Sequence, residues 1–134
     1  MNTFQLQIVT PDGLLYDGEA QKIILRTTEG DVGILANHCD YVTPLSIGIA
    51  RIFTDDGEKK AACSGGMLSV TDGLVRVIAS TFEWAEDIDV ERAERAKSKA
   101  EARLENHNRS EYEYKLAQIK LRKSLARLGA SGRR

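Results

Sequence analysis

What most limits how this chain can fold is a change of apolar period near residue 87. Ahead of that point apolar residues come at every second position, as in Phe4, Leu6 and Ile8 with Gln5 and Gln7 between them. Beyond it Ala93, Ala96, Ala100 and Leu104 recur at spacings of 3, 4 and 4. A period of two lets a strand bury one face, and a period of three to four does the same for a helix. The two patterns predict a β part over 1–86 and a helical part over 87–134. Other features divide at the same place. Nine of the 11 glycines precede residue 88. Residues 1–87 carry 6 Lys/Arg against 13 Asp/Glu, whereas 88–134 carry 13 against 7, an acidic part joined to a basic one. A split this sharp suggests two parts with different partners.

In the first part, short strand-like runs recur at Phe4–Val9, 22–27, 47–53, 60–63, 67–70 and 74–80. Turn signals separate several of them. In Thr10-Pro11-Asp12-Gly13 the proline presets its own φ and the glycine can supply a positive one, and Asp55-Asp56-Gly57 and Thr71-Asp72-Gly73 read similarly. Strands at this spacing with glycine-rich connections predict an antiparallel β-sandwich or flattened barrel.

In the second part Asp87 and Asp89 are both candidate N-caps, able to accept from the unpaired N–H groups of a first helical turn. Asn106-His107-Asn108 interrupts the alanine stripe, and Ser110 with Glu113 forms a capping box for a second helix. Its stripe runs through Tyr114, Ala117, Leu121, Leu125 and Leu128, with Gly129 as the expected end. So short a connection predicts an antiparallel two-helix hairpin. Alanine buries little area at roughly 25 cal/mol per Å², and isolated helices of this length are marginal in water. The hairpin is therefore expected to be weakly held and able to move.

With 42% apolar and 29% charged residues, the 134-residue chain can build an ordinary core. It has no apolar run near the roughly 20 residues of a membrane span, and Met1-Asn2-Thr3-Phe4-Gln5 lacks a secretory pattern, so a cytosolic location is the expectation. Cys39 and Cys63 have no CxxC spacing and are expected to be free, buried thiols rather than metal ligands.

Specific residues carry a resemblance. Val9-Thr10-Pro11, Tyr16-Asp17-Gly18, Glu29 to Leu35 (EGDVGIL), Asn37-His38, Thr43-Pro44-Leu45, Gly48 to Ile52 (GIARI) and Ser64 to Leu68 (SGGML) occur in one order over essentially the whole chain. Together they resemble the epsilon subunits of bacterial F-type ATP synthases. The resemblance implies a sandwich that binds the gamma subunit and the c-ring, and a hairpin that can extend toward the catalytic α and β subunits and block ATP hydrolysis. It implies a non-catalytic subunit, peripheral at the cytoplasmic face of the cell membrane and attached to it only through the complex. No cofactor is required.

Carried onto this sequence, the resemblance places Asp31 and His38 at the rotor interface. It places Lys115, Lys120, Arg122, Lys123 and Arg127 opposite an acidic segment of the β subunit, where charge attraction would favour the extended, inhibitory state. A charged helix also simply stays soluble.

Some bacterial members hold one ATP against the folded hairpin, with a signature that Ile88-Asp89-Val90-Glu91-Arg92-Ala93 resembles. On that basis Glu83, Asp89, Arg92, Lys99, Arg122, Lys123 and Arg127 are candidate ATP-binding residues, and ATP is a regulatory ligand. Arg92 offers a planar fork to phosphate or ribose oxygens, and Asp89 can accept from an adenine amine. Equally, Asp89 can cap the helix and leave Arg92 in solvent. The chain departs from the expected Arg-x-x-x-Arg: Lys123 has the right spacing to Arg127 but is a lysine, while Arg122 falls on another side of the helix, and Lys99 also replaces an arginine. Lysine keeps the charge and loses the bidentate fork, which should weaken binding.

An independent enzyme lacks parts here, with two histidines far apart and no phosphate loop. A basic-tailed nucleic-acid-binding module is the other rival, though the β part is acidic and only 6% of residues are aromatic. Trp84, beside Glu83, is a packing residue or a local optical probe.

Overall fold

The computed structural model describes residues 2–132. Eight strands come first: β1 (Phe4–Thr10), β2 (Gly13–Ala20), β3 (Lys22–Thr27), β4 (Gly30–Leu35), β5 (Tyr41–Leu45), β6 (Gly48–Thr54), β7 (Gly57–Thr71) and β8 (Leu74–Trp84). A single 3-10 turn, Ala85–Asp87, leads into α1 (Val90–Glu105) and α2 (Glu111–Ala130). Neighbours run β2-β1-β8-β7-β5-β3-β4, with β6 paired to β3 and β7. All pairings are antiparallel except β1 with β8, which is parallel. The β-sandwich followed by a two-helix hairpin is thus present, with one parallel pair that alternation alone does not reveal.

Inward residues of every second position, among them Leu6, Ile8, Ile23, Leu25, Ile52 and Leu68, fill one core and are fully buried. Burying each such side chain is worth about 1.5–3 kcal/mol, so the sandwich has ample means of holding itself.

The run Ser64-Gly65-Gly66 had split the prediction into separate strands at 60–63 and 67–70, whereas β7 is continuous through it. The glycines instead reverse which side faces the core. Ala61 and Cys63 point inward before them and Leu68 and Val70 after, a change of parity. Gly65 and Gly66 adopt φ of 71° and 115°, and a Cβ on Gly66 would collide with the Ile78 carbonyl oxygen. Only glycine meets both conditions, and this is how one strand serves β6 along its first half and β5 along its second.

Three further expectations are corrected. The strand-like runs named above omit β2, β4 and β5, because glycine and proline mask their alternation. Gly129 does not end α2. The helix runs to Ala130, and Gly132, at φ 86°, follows its cap. Cys39 is exposed rather than buried. Cys63 is buried, and burial pushes its thiol up to about 12.

The helices are capped as their sequence predicts. Asp89 accepts from the Arg92 N–H at 3.1 Å and Ser110 from the Glu113 N–H at 3.1 Å. α1 packs on α2, and α2 packs on β6 and β7. Thus α1 is held through its neighbour.

Candidate functional site

The seat of α2 on the sandwich joins three alanines to three isoleucines. Ala126 and Ala130 meet Ala62 and Ile88, with Ile47 and Ile49 alongside. A buried methyl-sized group is worth about 0.8 kcal/mol, far less than the side chains of the main core. A Cβ on Gly129 would lie 2.6 Å from Ile49 Cδ1, so at this glycine the helix passes close against β6. Two polar links complete the seat. The Arg127 Nε donates to Glu83 Oε1 at 2.6 Å, and the Arg122 Nη2 donates to Ser46 Oγ at 2.8 Å. The Arg127 and Glu83 side chains are 34% and 36% exposed, so solvent screens this ion pair and its worth lies at or below about 1 kcal/mol.

The stripe expected of α2 is present apart from Leu125, and a second buried face joins it. Ala117, Ser124 and Leu128 are buried on one and Ala126 and Ala130 on another, while Leu125 is 47% exposed. A helix wedged between a second helix and a sheet needs both faces, and a single-stripe reading could not show that.

Between α1 and α2 lies a cleft of about 250 Å³ with five cationic side chains at its walls: Lys99, Arg103, Lys120, Lys123 and Arg127. Ala96, Ala100 and Ser124 make up the rest, and the Ser124 hydroxyl donates to the Lys120 carbonyl. Of the candidate ATP-binding residues, the fold brings Lys99, Lys123 and Arg127 together here. Glu83 stands on the sheet side of Arg127, against a small cavity beneath α2. Asp89 caps α1, and Arg92 is exposed away from the cleft walls. Arg122 faces a separate groove of about 620 Å³ between α2 and the sheet, with Arg26, Asp31, Arg51 and Lys60. Lys115 is exposed and pairs with Glu111 at 3.7 Å. Arg103 is a cleft residue that sequence reasoning missed. Its signal is its position four after Lys99, on the same face of α1.

On the sandwich, Asp31 lies on the edge strand β4 and pairs with Arg26 at 3.4 Å. His38 precedes β5, its Nδ1 2.7 Å from the Cys39 carbonyl oxygen and its ring against Tyr41. The sandwich also carries a feature that the sequence analysis does not contain. By register Pro44, Met67, Ile78, Val9 and Leu14 form one row across β5, β7, β8, β1 and β2. Met67, Ile78 and Leu14 are 39–60% exposed, so the row is an uncovered apolar stripe on the outer face. Its signal was available in the outward positions of the strands, which are usually polar.

A sandwich of this topology carrying a two-helix hairpin can be set beside known proteins. Residues 3–85 match the ATP synthase delta/epsilon chain β-sandwich domain, and residues 86–132 match the long α-helix domain of the same chains. The chain belongs to the ATP synthase delta/epsilon family. It is 50% identical over 103 residues to the ATP synthase epsilon chain of Alkaliphilus oremlandii, covering 77% of each. To that of Halalkalibacterium halodurans it is 38% identical over 133 residues, 99% of this chain and 100% of the relative. Among solved structures, a chain in the Euglena gracilis mitochondrial ATP synthase OSCP/F1/c-ring assembly superposes with a TM-score of 0.83 at 27% identity, over 96% of this chain and 81% of that one. A chain of the Tetrahymena thermophila central stalk and c-ring matches at 0.62 and 14% identity over 95% of both, a likeness of fold alone. This epsilon-type delta/epsilon chain gives no support to the nucleic-acid module. No helix of the described residues is long and apolar enough to cross a membrane.

Proposed function

We propose that this chain is a non-catalytic subunit of the central stalk of an F-type ATP synthase, at the cytoplasmic face of the cell membrane, and that it restrains ATP hydrolysis through its hairpin. The sandwich would bind gamma and the c-ring, with the Val9–Leu14–Pro44–Met67–Ile78 row and His38 toward gamma and Asp31 toward the ring. The hairpin would leave its seat and reach the α and β subunits with Lys115, Lys120, Arg122, Lys123 and Arg127. ATP in the cleft between α1 and α2 would keep the hairpin down. Ligand at 100 times its dissociation constant adds about 2.7 kcal/mol to the state that binds it, enough to control an element so lightly held.

The observation that carries this reading is the seat of α2, a satellite cluster of three alanines and three isoleucines with one partly exposed ion pair, much smaller than the core of the sandwich. The test reconstitutes the ATP synthase with the full chain or with residues 1–87 alone. Hydrolysis should rise when 88–134 are missing while the subunit still assembles. Unchanged hydrolysis at equal occupancy would remove the inhibitory role.

A further inference from the structure

We infer that the groove between α2 and the outer face of β3, β6 and β7 is a binding site for organic phosphate monoesters, with the charged head among its arginines and an apolar body along its isoleucines. Such binding requires only a seated hairpin, whatever the hairpin does to hydrolysis. It is separate from the cleft between α1 and α2.

Three observations carry it. The first is charge. Residues 1–87 hold only 6 Lys/Arg against 13 Asp/Glu, yet three of those cations, Arg26, Arg51 and Lys60, gather in this groove, and α2 adds Arg122. Register accounts for part of this, since Arg51 faces Lys60 on β7 and Ile24 on β3. Asp31 offsets Arg26 and Glu58 offsets Arg51. Among the described residues Lys60 and Arg122 form no ion pair, so two positive charges are left for a ligand. A phosphate monoester brings about −1.5 to −2 at pH 7.

The second is placement. Ser46 ties Arg122 to the strand that carries Arg26. Its N–H donates to the Arg26 carbonyl at 2.9 Å, and its hydroxyl accepts from Arg122 Nη2 at 2.8 Å. The stem of Arg26 also fills the space beside Gly48, where a Cβ would collide with the Arg26 Cβ and Cγ. A guanidinium has five N–H donors. Arg122 spends one on Ser46 and Arg26 one on Asp31 at 3.4 Å, so both keep donors in the planar arrangement that suits phosphate oxygens.

The third is size and lining. About 620 Å³ lies within the roughly 300–1,000 Å³ of pockets that hold a small molecule. Ile24, Ile47 and Ile49 on the sheet are only partly buried, and Leu125 on α2 is 47% exposed. An apolar body lying between them covers what the fold leaves bare. With walls on two sides, the groove takes one molecule from solution and not the flat face of a bilayer. Because α2 supplies one wall, the ligand binds only the seated hairpin and holds it there.

The test is calorimetric titration of the full chain with 1-naphthyl phosphate, and with inorganic phosphate and 1-naphthol as its separate halves. Circular dichroism verifies the fold of each variant. We expect the ester to bind at least about tenfold more tightly than either half, and to slow amide exchange in α2. Arg26→Ala/Lys60→Ala alters exposed side chains of the sandwich alone and should weaken the ester by at least about tenfold. Lys99→Ala/Lys123→Ala, in the other cleft, should leave it unchanged. Binding lost in the second pair and kept in the first would place the ester between the helices and overturn the assignment. Equal loss in both pairs would mark charge alone and also overturn it. So would either half binding as tightly as the ester, exchange in α2 unchanged at saturation, sedimentation with phosphatidate vesicles in place of ester binding, or no binding at all. The inhibitory role stands or falls separately, on hydrolysis in the reconstituted complex.

Discussion

Gly129→Val probes a close approach of the hairpin to the sandwich. The glycine lies within α2, and a Cβ there would sit 2.6 Å from Ile49 Cδ1 and 3.6 Å from Ile49 Cγ1. Overpacking of this kind costs about 1–3 kcal/mol, because the neighbour must leave its rotamer or the helix must back away. Valine regains about 0.4 kcal/mol of helix propensity over glycine. The net loss of about 0.6–2.6 kcal/mol should open α2 from its seat about 3 to 80 times more often. Amide hydrogen exchange measures this directly at Ala126 and Leu128, since a hairpin off the sheet is marginal as a helix. Exchange should quicken there while the buried amides of β3 and β8 keep their protection. Adding Ile49→Ala opens the space that valine needs, and the double-mutant cycle should return at least about 1 kcal/mol of favourable coupling. Unchanged exchange in Gly129→Val, or no coupling to Ile49, would refute the close-approach account.

The parity switch in β7 makes Gly66→Ala a test of the sandwich itself: with φ at 115° and the Ile78 carbonyl in the way, it should cost about 2 kcal/mol or more and lower the melting temperature by several degrees. The two thiols should separate by rate. At pH 8 a thiol reagent should titrate Cys39 quickly in the native protein and Cys63, pushed up to about 12, only on denaturation; two fast thiols in the folded protein would contradict the burial. Asp89→Ala should cost α1 about 1 kcal/mol, visible as lost helical ellipticity, and Asp89→Asn should restore most of it, because either side chain can accept from the Arg92 N–H. If Asp89→Asn fails to rescue, the carboxylate has a duty beyond capping.

Much of this was legible before any coordinates, for reasons that can be named. Periods of two and of three to four report which face is buried, so the sandwich, the hairpin and the caps at Asp89 and Ser110 were readable from residues near one another in sequence. What failed had its cause far along the chain. Gly65 and Gly66 looked like a break because their use, a reversal of facing against Ile78, depends on β8. Gly129 looked like a helix end because its reason is Ile49. At the cleft, Lys99, Lys123 and Arg127 do converge, while Arg122 turns to Ser46, a partner 76 residues away that no helical spacing could have named.

That α1 rests on α2 and not on the sheet also bears on how the chain comes into being. By the time Trp84 has been made, the sandwich has every strand it needs. The next 16-residue helix then emerges with no surface of its own to settle against, and must wait, largely unfolded, for a segment not yet synthesised. A newborn subunit therefore passes through a period in which a finished sandwich trails a loose, polar arm. Nothing in that interval obliges the arm to fold back, so any partner that reaches the sandwich early meets the chain before its hairpin has been put away.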